Sequence, residues 1–104
     1  MINEDFSVTK EKSAEGLKFF IKGRVNSVSS EELQHHMQEA LKDGETNIIL
    51  NMLWVEYLSS AGIRVILKTY KEANEAGKKF GIEMPSENVK NVLGMTALDE
   101  MLIS

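Results

Sequence analysis

Phe6, Val8, Lys10 and Lys12 alternate with Ser7, Thr9 and Glu11; after the turn-like Ser13-Ala14-Glu15-Gly16, a largely apolar run from Leu17 to Gly23 follows. Two short runs joined by about four turn residues predict an antiparallel hairpin. Beyond Arg24-Val25-Asn26 the period changes. Ser29 followed by Glu32 has the spacing of a capping box, and Leu33, Met37, Ala40 and Leu41 then form one helical stripe that stops at Gly44. Inside Asn47 to Met52, Ile48-Ile49-Leu50 is continuous rather than alternating, the pattern of a strand covered on both faces.

A second helix is predicted from the serine pair Ser59-Ser60 to Gly77. Ile63, Ile66, Leu67, Tyr70 and Ala73 keep helical spacing, and Arg64, Lys68, Lys71, Glu72 and Glu75 fall on the other side. A fourth strand, Phe80 to Met84, is closed by Pro85. Ser86 then caps a short helix carrying Val89, Val92 and Leu93 and ending at Gly94, and Thr96 and Asp99 bracket a last turn or two with Leu98, Met101 and Leu102. The order β-β-α-β-α-β-α-α predicts an α/β fold: a mixed sheet of four or five strands, covered mainly on one face by about four helices. No linker, repeat or low-complexity stretch divides residues 1–104, so a single domain is expected.

Composition narrows the function. The chain has no cysteine, which excludes disulfide frameworks and thiolate metal sites and fits a reducing compartment. Its start lacks a basic region followed by an apolar one, and no segment approaches the roughly 18 apolar residues of a membrane span. A soluble, cytoplasmic protein without membrane insertion is the expectation. The net charge of −4, spread over mixed-sign segments, argues against nucleic acid as a direct partner.

Catalytic patterns are missing as well. Leu58-Ser59-Ser60-Ala61-Gly62 lacks the leading glycine of a hydrolase elbow. The adjacent His35 and His36 point about 100° apart on a helix and cannot share a metal as an i, i+4 pair does. The seven glycines are scattered singly, so there is no phosphate-cradling loop. The expectation is a non-enzyme with no cofactor and no metal site.

The serine pair stands out. One serine is explained by capping the second helix, worth about 1 kcal/mol. The other is not, nor is Gly62 inside a first helical turn, where glycine costs up to about 1 kcal/mol against alanine. Small residues at a helix N-terminus leave backbone N–H groups exposed and admit a close-packed partner or a phosphate. A serine placed there can be phosphorylated without melting its own helix.

The element order, the strand Ile48-Ile49-Leu50-Asn51-Met52, the stretch YLSSAGIRVIL over residues 57–67 and the closing NVLGMTALDEML resemble a STAS domain of the anti-sigma factor antagonist type, from about Phe6 to Leu102. In that family the signature is usually Asp-Ser-(Ser/Thr/Ala)-Gly-(Leu/Ile), and its serine is phosphorylated by an anti-sigma factor that is also an ATP-dependent serine kinase. The resemblance implies Ser60 as the phosphoacceptor, with Ser59 in the place of the aspartate. It implies a partner-binding surface of Asn26, Ser59, Ala61, Gly62, Ile63 and Arg64. It also implies partner switching: the unphosphorylated domain, monomeric on its own, binds the kinase, is released on phosphorylation, and is reset by a serine phosphatase. The missing aspartate supports an alternative, a STAS scaffold that is not phosphorylated and belongs to a larger complex, for example with a transporter.

Overall fold

The computed structural model describes residues 6–96 and 98. Four strands, β1 (Phe6–Ser13), β2 (Gly16–Val25), β3 (Asn47–Leu58) and β4 (Lys79–Glu83), alternate after the first hairpin with helices α1 (Ser29–Lys42), α2 (Ser60–Glu75) and α3 (Glu87–Met95). They form one mixed sheet in the order β1-β2-β3-β4, β1 antiparallel to β2 and the other two junctions parallel. The expected α/β architecture is present, with four strands and three helices among the described residues. The fourth helix expected around Met101 and Leu102 lies outside them. Ser13 and Gly16 pair directly, so the hairpin loop is Ala14-Glu15, shorter than the four residues expected.

Successive parallel crossovers advance in one direction across the sheet, so the helices gather on a single face. Leu17, Phe19, Ile21 and Val25 of β2, with Ile48, Leu50, Met52, Val55 and Leu58 of β3, form the core there with Leu33, Met37, Ile66, Val89 and Leu93 of the helices. Among the described residues the other face carries no helix. Ile49 turns to it, in register with Lys18 and Gly81, and is buried all the same. Its continuous apolar run therefore does not reflect helices on both faces.

β3 runs six residues past the expected end at Met52. Between Phe20 and Lys22, and again between Gly23 and Arg24, β3 contributes one more residue than β2. Each bulge resets the alternation. Val55 and Leu58 consequently stay in the core, while Trp54 and Tyr57 turn to the open face opposite Lys22 and Arg24.

α2 ends as its glycine predicts. Gly77 has φ 74, its N–H donates to the Asn74 carbonyl, and the Lys78 N–H donates to the Ala73 carbonyl, a Schellman closure. Ser86 begins α3, accepting the Val89 N–H and donating its hydroxyl to the Val55 carbonyl at 2.7 Å.

Candidate functional site: the serine pair at the strand ends

β2 and β3 run in parallel and finish side by side at Val25 and Leu58, so the loops leading into α1 and α2 emerge together. The Ser59 N–H donates to the Val25 carbonyl at 2.9 Å and ties the two loops at their roots. Ser59 is the cap of α2: its backbone is extended, its Oγ accepts the Gly62 N–H at 3.2 Å, and its carbonyl accepts the Ile63 N–H. Ser60 is the first residue of the helix and is exposed.

Gly62 is buried against the strand ends, where a Cβ would come within 2.7 Å of Val25 Cγ1 and 2.8 Å of Leu58 Cδ1. Ala61 beside it is half-buried, and Ile63 packs on the core. Arg64 is exposed one helical turn beyond Ser60, on the same side of α2. It borders a shallow groove between α1 and α2 with Ser27, Glu31, Ala61 and Lys68.

Asn26 lies in the neighbouring loop, next in sequence to the Val25 carbonyl that holds Ser59. Its Oδ1 accepts the N–H groups of Val28 and Ser29 at 3.0 and 2.9 Å, and its carbonyl accepts the Ser30 N–H at 2.8 Å. Asn26 therefore shapes the start of α1, and the expected capping box of Ser29 and Glu32 does not form. Ser29 is buried, with its hydroxyl donating to the Arg24 carbonyl and accepting the Asn26 N–H. The reason is positional: the helical bonding begins three residues earlier than the apolar stripe suggests.

His35 and His36 lie on α1, each within reach of a glutamate one turn away. His36 stands edge-on to Phe19. Phe19 is six residues, about 20 Å, down the strand from Val25. That leaves Ser60 without a histidine base.

Three neighbours of the site were not singled out by sequence. The Arg24 guanidinium lies 4.7 Å from the ring centre of Tyr57, and Trp54 stands on the same open face with 66 % exposure. The available signal was a basic residue and an aromatic at matched distances before the two loops.

The STAS domain model matches residues 7–103. The chain belongs to the STAS domain family. BtrV of Bordetella bronchiseptica, assigned as an anti-sigma factor antagonist, is 33% identical over 55 residues, covering 53% of this chain and 47% of that protein, so the match spans about half the length of this relative. Two solved structures share the fold at 17% identity. The anti-sigma factor antagonist SpoIIAA in its unphosphorylated form superposes with a TM-score of 0.82 over 93% of this chain and 86% of that one. An anti-sigma factor antagonist from Mycobacterium paratuberculosis gives 0.84 over 97% and 86%.

Proposed function

We propose that this STAS domain is a cytoplasmic anti-sigma factor antagonist that works by partner switching, with Ser60 as its phosphoacceptor. One observation carries the reading: Ser59 takes the cap of α2, which leaves Ser60 exposed at the first helical position. A kinase-type anti-sigma factor transfers the γ-phosphoryl of ATP to Ser60 Oγ. The bond to ADP breaks as the new P–O bond forms, and the hydroxyl proton leaves to a base of the kinase. The nucleotide belongs to that partner, and this chain holds no cofactor.

The phosphate sits at the positive end of α2 with Arg64 one turn away, so the helix tolerates it. A partner packed on Ala61 and Gly62 does not, because the added charge of about −1.5 to −2 must then be desolvated. A loss of about 3 kcal/mol weakens binding more than a hundredfold. A serine phosphatase restores the binding form. SpoIIAA, whose unphosphorylated and phosphorylated forms share this fold, supports the reading by likeness.

Ser59 favours a second reading, a scaffold that is not phosphorylated, because it supplies no carboxylate beside the acceptor. One experiment separates them. The chain is incubated with the cognate kinase and ATP, the phosphosite is mapped, and kinase binding is measured for the parent, Ser60→Ala and Ser60→Asp. The switch predicts phosphate on Ser60, full binding by Ser60→Ala and weakened binding by Ser60→Asp. Phosphate on Ser59 alone, or equal binding by all three, overturns it.

A further inference from the structure

Tryptophan, tyrosine and arginine dominate the energetics of protein interfaces. This chain holds one tryptophan, two tyrosines and the arginines Arg24 and Arg64. Tyr70 packs edge-on against Phe80. The other four all lie towards the strand ends that carry Ser60. Tyr57 is two residues before Ser59, Arg24 is two before Asn26, and the pair is stacked. Lys22 and Trp54 form the next cross-strand pair down the same face.

This strip is continuous with the serine site, and no described helix covers it. Its charge is basic on balance, Lys22, Arg24 and Arg64 against the exposed Glu56, which borders the same cavity as Lys22 and Trp54. Lys22, Arg24 and Arg64 make no ion pair among the described residues, although the chain as a whole is acidic. On the same face Glu83 is already held by Lys18 and Asn51.

We infer that the partner's contact continues past Ser60 over Arg24 and Tyr57 onto Trp54, and that the segment it lays there is acidic with an apolar side chain seated on the indole. The inference rests on the switching function proposed above and gives it a sign. A phosphate on Ser60 would then stand at one end of a basic strip already occupied by carboxylates, repelling them and drawing Arg64 to itself. Release follows from the charge of the partner as well as from lost packing.

The test uses the full chain with 5-fluorotryptophan at position 54 and the purified kinase that phosphorylates Ser60, without nucleotide. The fluorine resonance is expected to shift in the complex. Trp54→Ala and Arg24→Gln are each expected to weaken binding about tenfold, with unchanged melting and normal Ser60 phosphorylation at saturating kinase. Added salt should weaken the parent complex more than the Arg24→Gln complex.

An unmoved resonance, with both variants binding within about twofold of the parent while Ser60 is still phosphorylated, overturns the strip and leaves the switch standing. If no kinase phosphorylates Ser60, the switch fails and this inference with it. Aromatic and basic residues on an open sheet also suit single-stranded nucleic acid. A resonance shifted by oligo(dT) and not by the kinase would overturn the proposal in that direction.

Discussion

A Cβ on Gly62 would lie 2.7 Å from Cγ1 of Val25, a residue with no exposed surface of its own. The first turn of α2 thus rests directly on the ends of β2 and β3, and this contact sets the height of Ser60 above the sheet.

Two effects oppose each other in Gly62→Ala. Alanine gains up to about 1 kcal/mol as a helix former. Overpacking a closed site costs about 1–3 kcal/mol, and Val25 has nowhere to move. Net destabilisation of about 1–2 kcal/mol is expected, read as a lower denaturant midpoint. A variant as stable as the parent would mean that α2 lifts off the strands without cost.

The adjacent serines separate by stability as well as by phosphorylation. Ser59→Ala removes the acceptor for the Gly62 N–H and should cost about 1 kcal/mol, or a melting temperature lower by about 4–8 °C. Ser60→Ala, on the exposed side, should stay within about 0.5 kcal/mol of the parent. Ser59→Asp keeps a capping oxygen and adds a charge that the helix dipole favours, so it should be at least as stable as the parent at neutral pH. A Ser60→Ala variant less stable than Ser59→Ala would reverse the roles given to the two residues.

Asn26 bears on the site through the loop it closes. Asn26→Ala leaves the Val28 and Ser29 N–H groups without their acceptor and should destabilise by about 1–2 kcal/mol. Asn26→Asp offers the same oxygen and should not. Amide exchange at Val28 and Ser29 measures this locally: faster exchange is expected in the alanine variant alone, and unchanged exchange would remove Asn26 from the architecture of the loop.

These residues also mark how far the sequence could be read. The helical stripe of Leu33, Met37 and Ala40, the caps of α2 and α3 and the Gly77 closure follow from local rules, and local bonds make them. The start of α1 differs from the expected capping box because Asn26, three residues before Ser29, accepts the Val28, Ser29 and Ser30 N–H groups, and only the fold decides which carbonyl receives the first helical bond. The second half of β3 was missed because its bulges break the two-residue period, leaving Leu53-Trp54-Val55-Glu56-Tyr57 without alternation. The pairing of Arg24 with Tyr57 depends on that same register, and their matched distances before the two loops are its one trace in the sequence. A cap at the serine pair follows from local rules, but which of the two serines takes it is decided by the structure, with Ser59 at the cap and Ser60 at the first helical position.

The ion pair between Lys18 and Glu83 ties β2 to β4 across the open face. Burial pushes the Glu83 carboxyl up, but hydrogen bonds from Asn51 at 2.9 Å and Lys18 at 3.1 Å outweigh it and hold the group below its ordinary value of 4.5. Since the folded value is the lower one, the unfolded chain binds more protons in this range. The stabilisation is therefore complete above pH 4.5 and is lost as pH falls through the folded value. Lys18 behaves in the mirror sense: its hydrogen bond to Glu83 raises it above 10.5, so its share is present below that pH and is lost only as pH rises through the higher folded value. Asp43 is lowered too, chiefly by the Glu45 N–H, and titrates in the same acid range. The difference between parent and Glu83→Gln, rather than the parent's own curve, isolates Glu83. Denaturant melts should show the variant less stable by about 1 kcal/mol near neutral pH, with the gap closing in acid below the folded value. A gap that persists unchanged in acid would assign the loss to packing and not to the charge of Glu83.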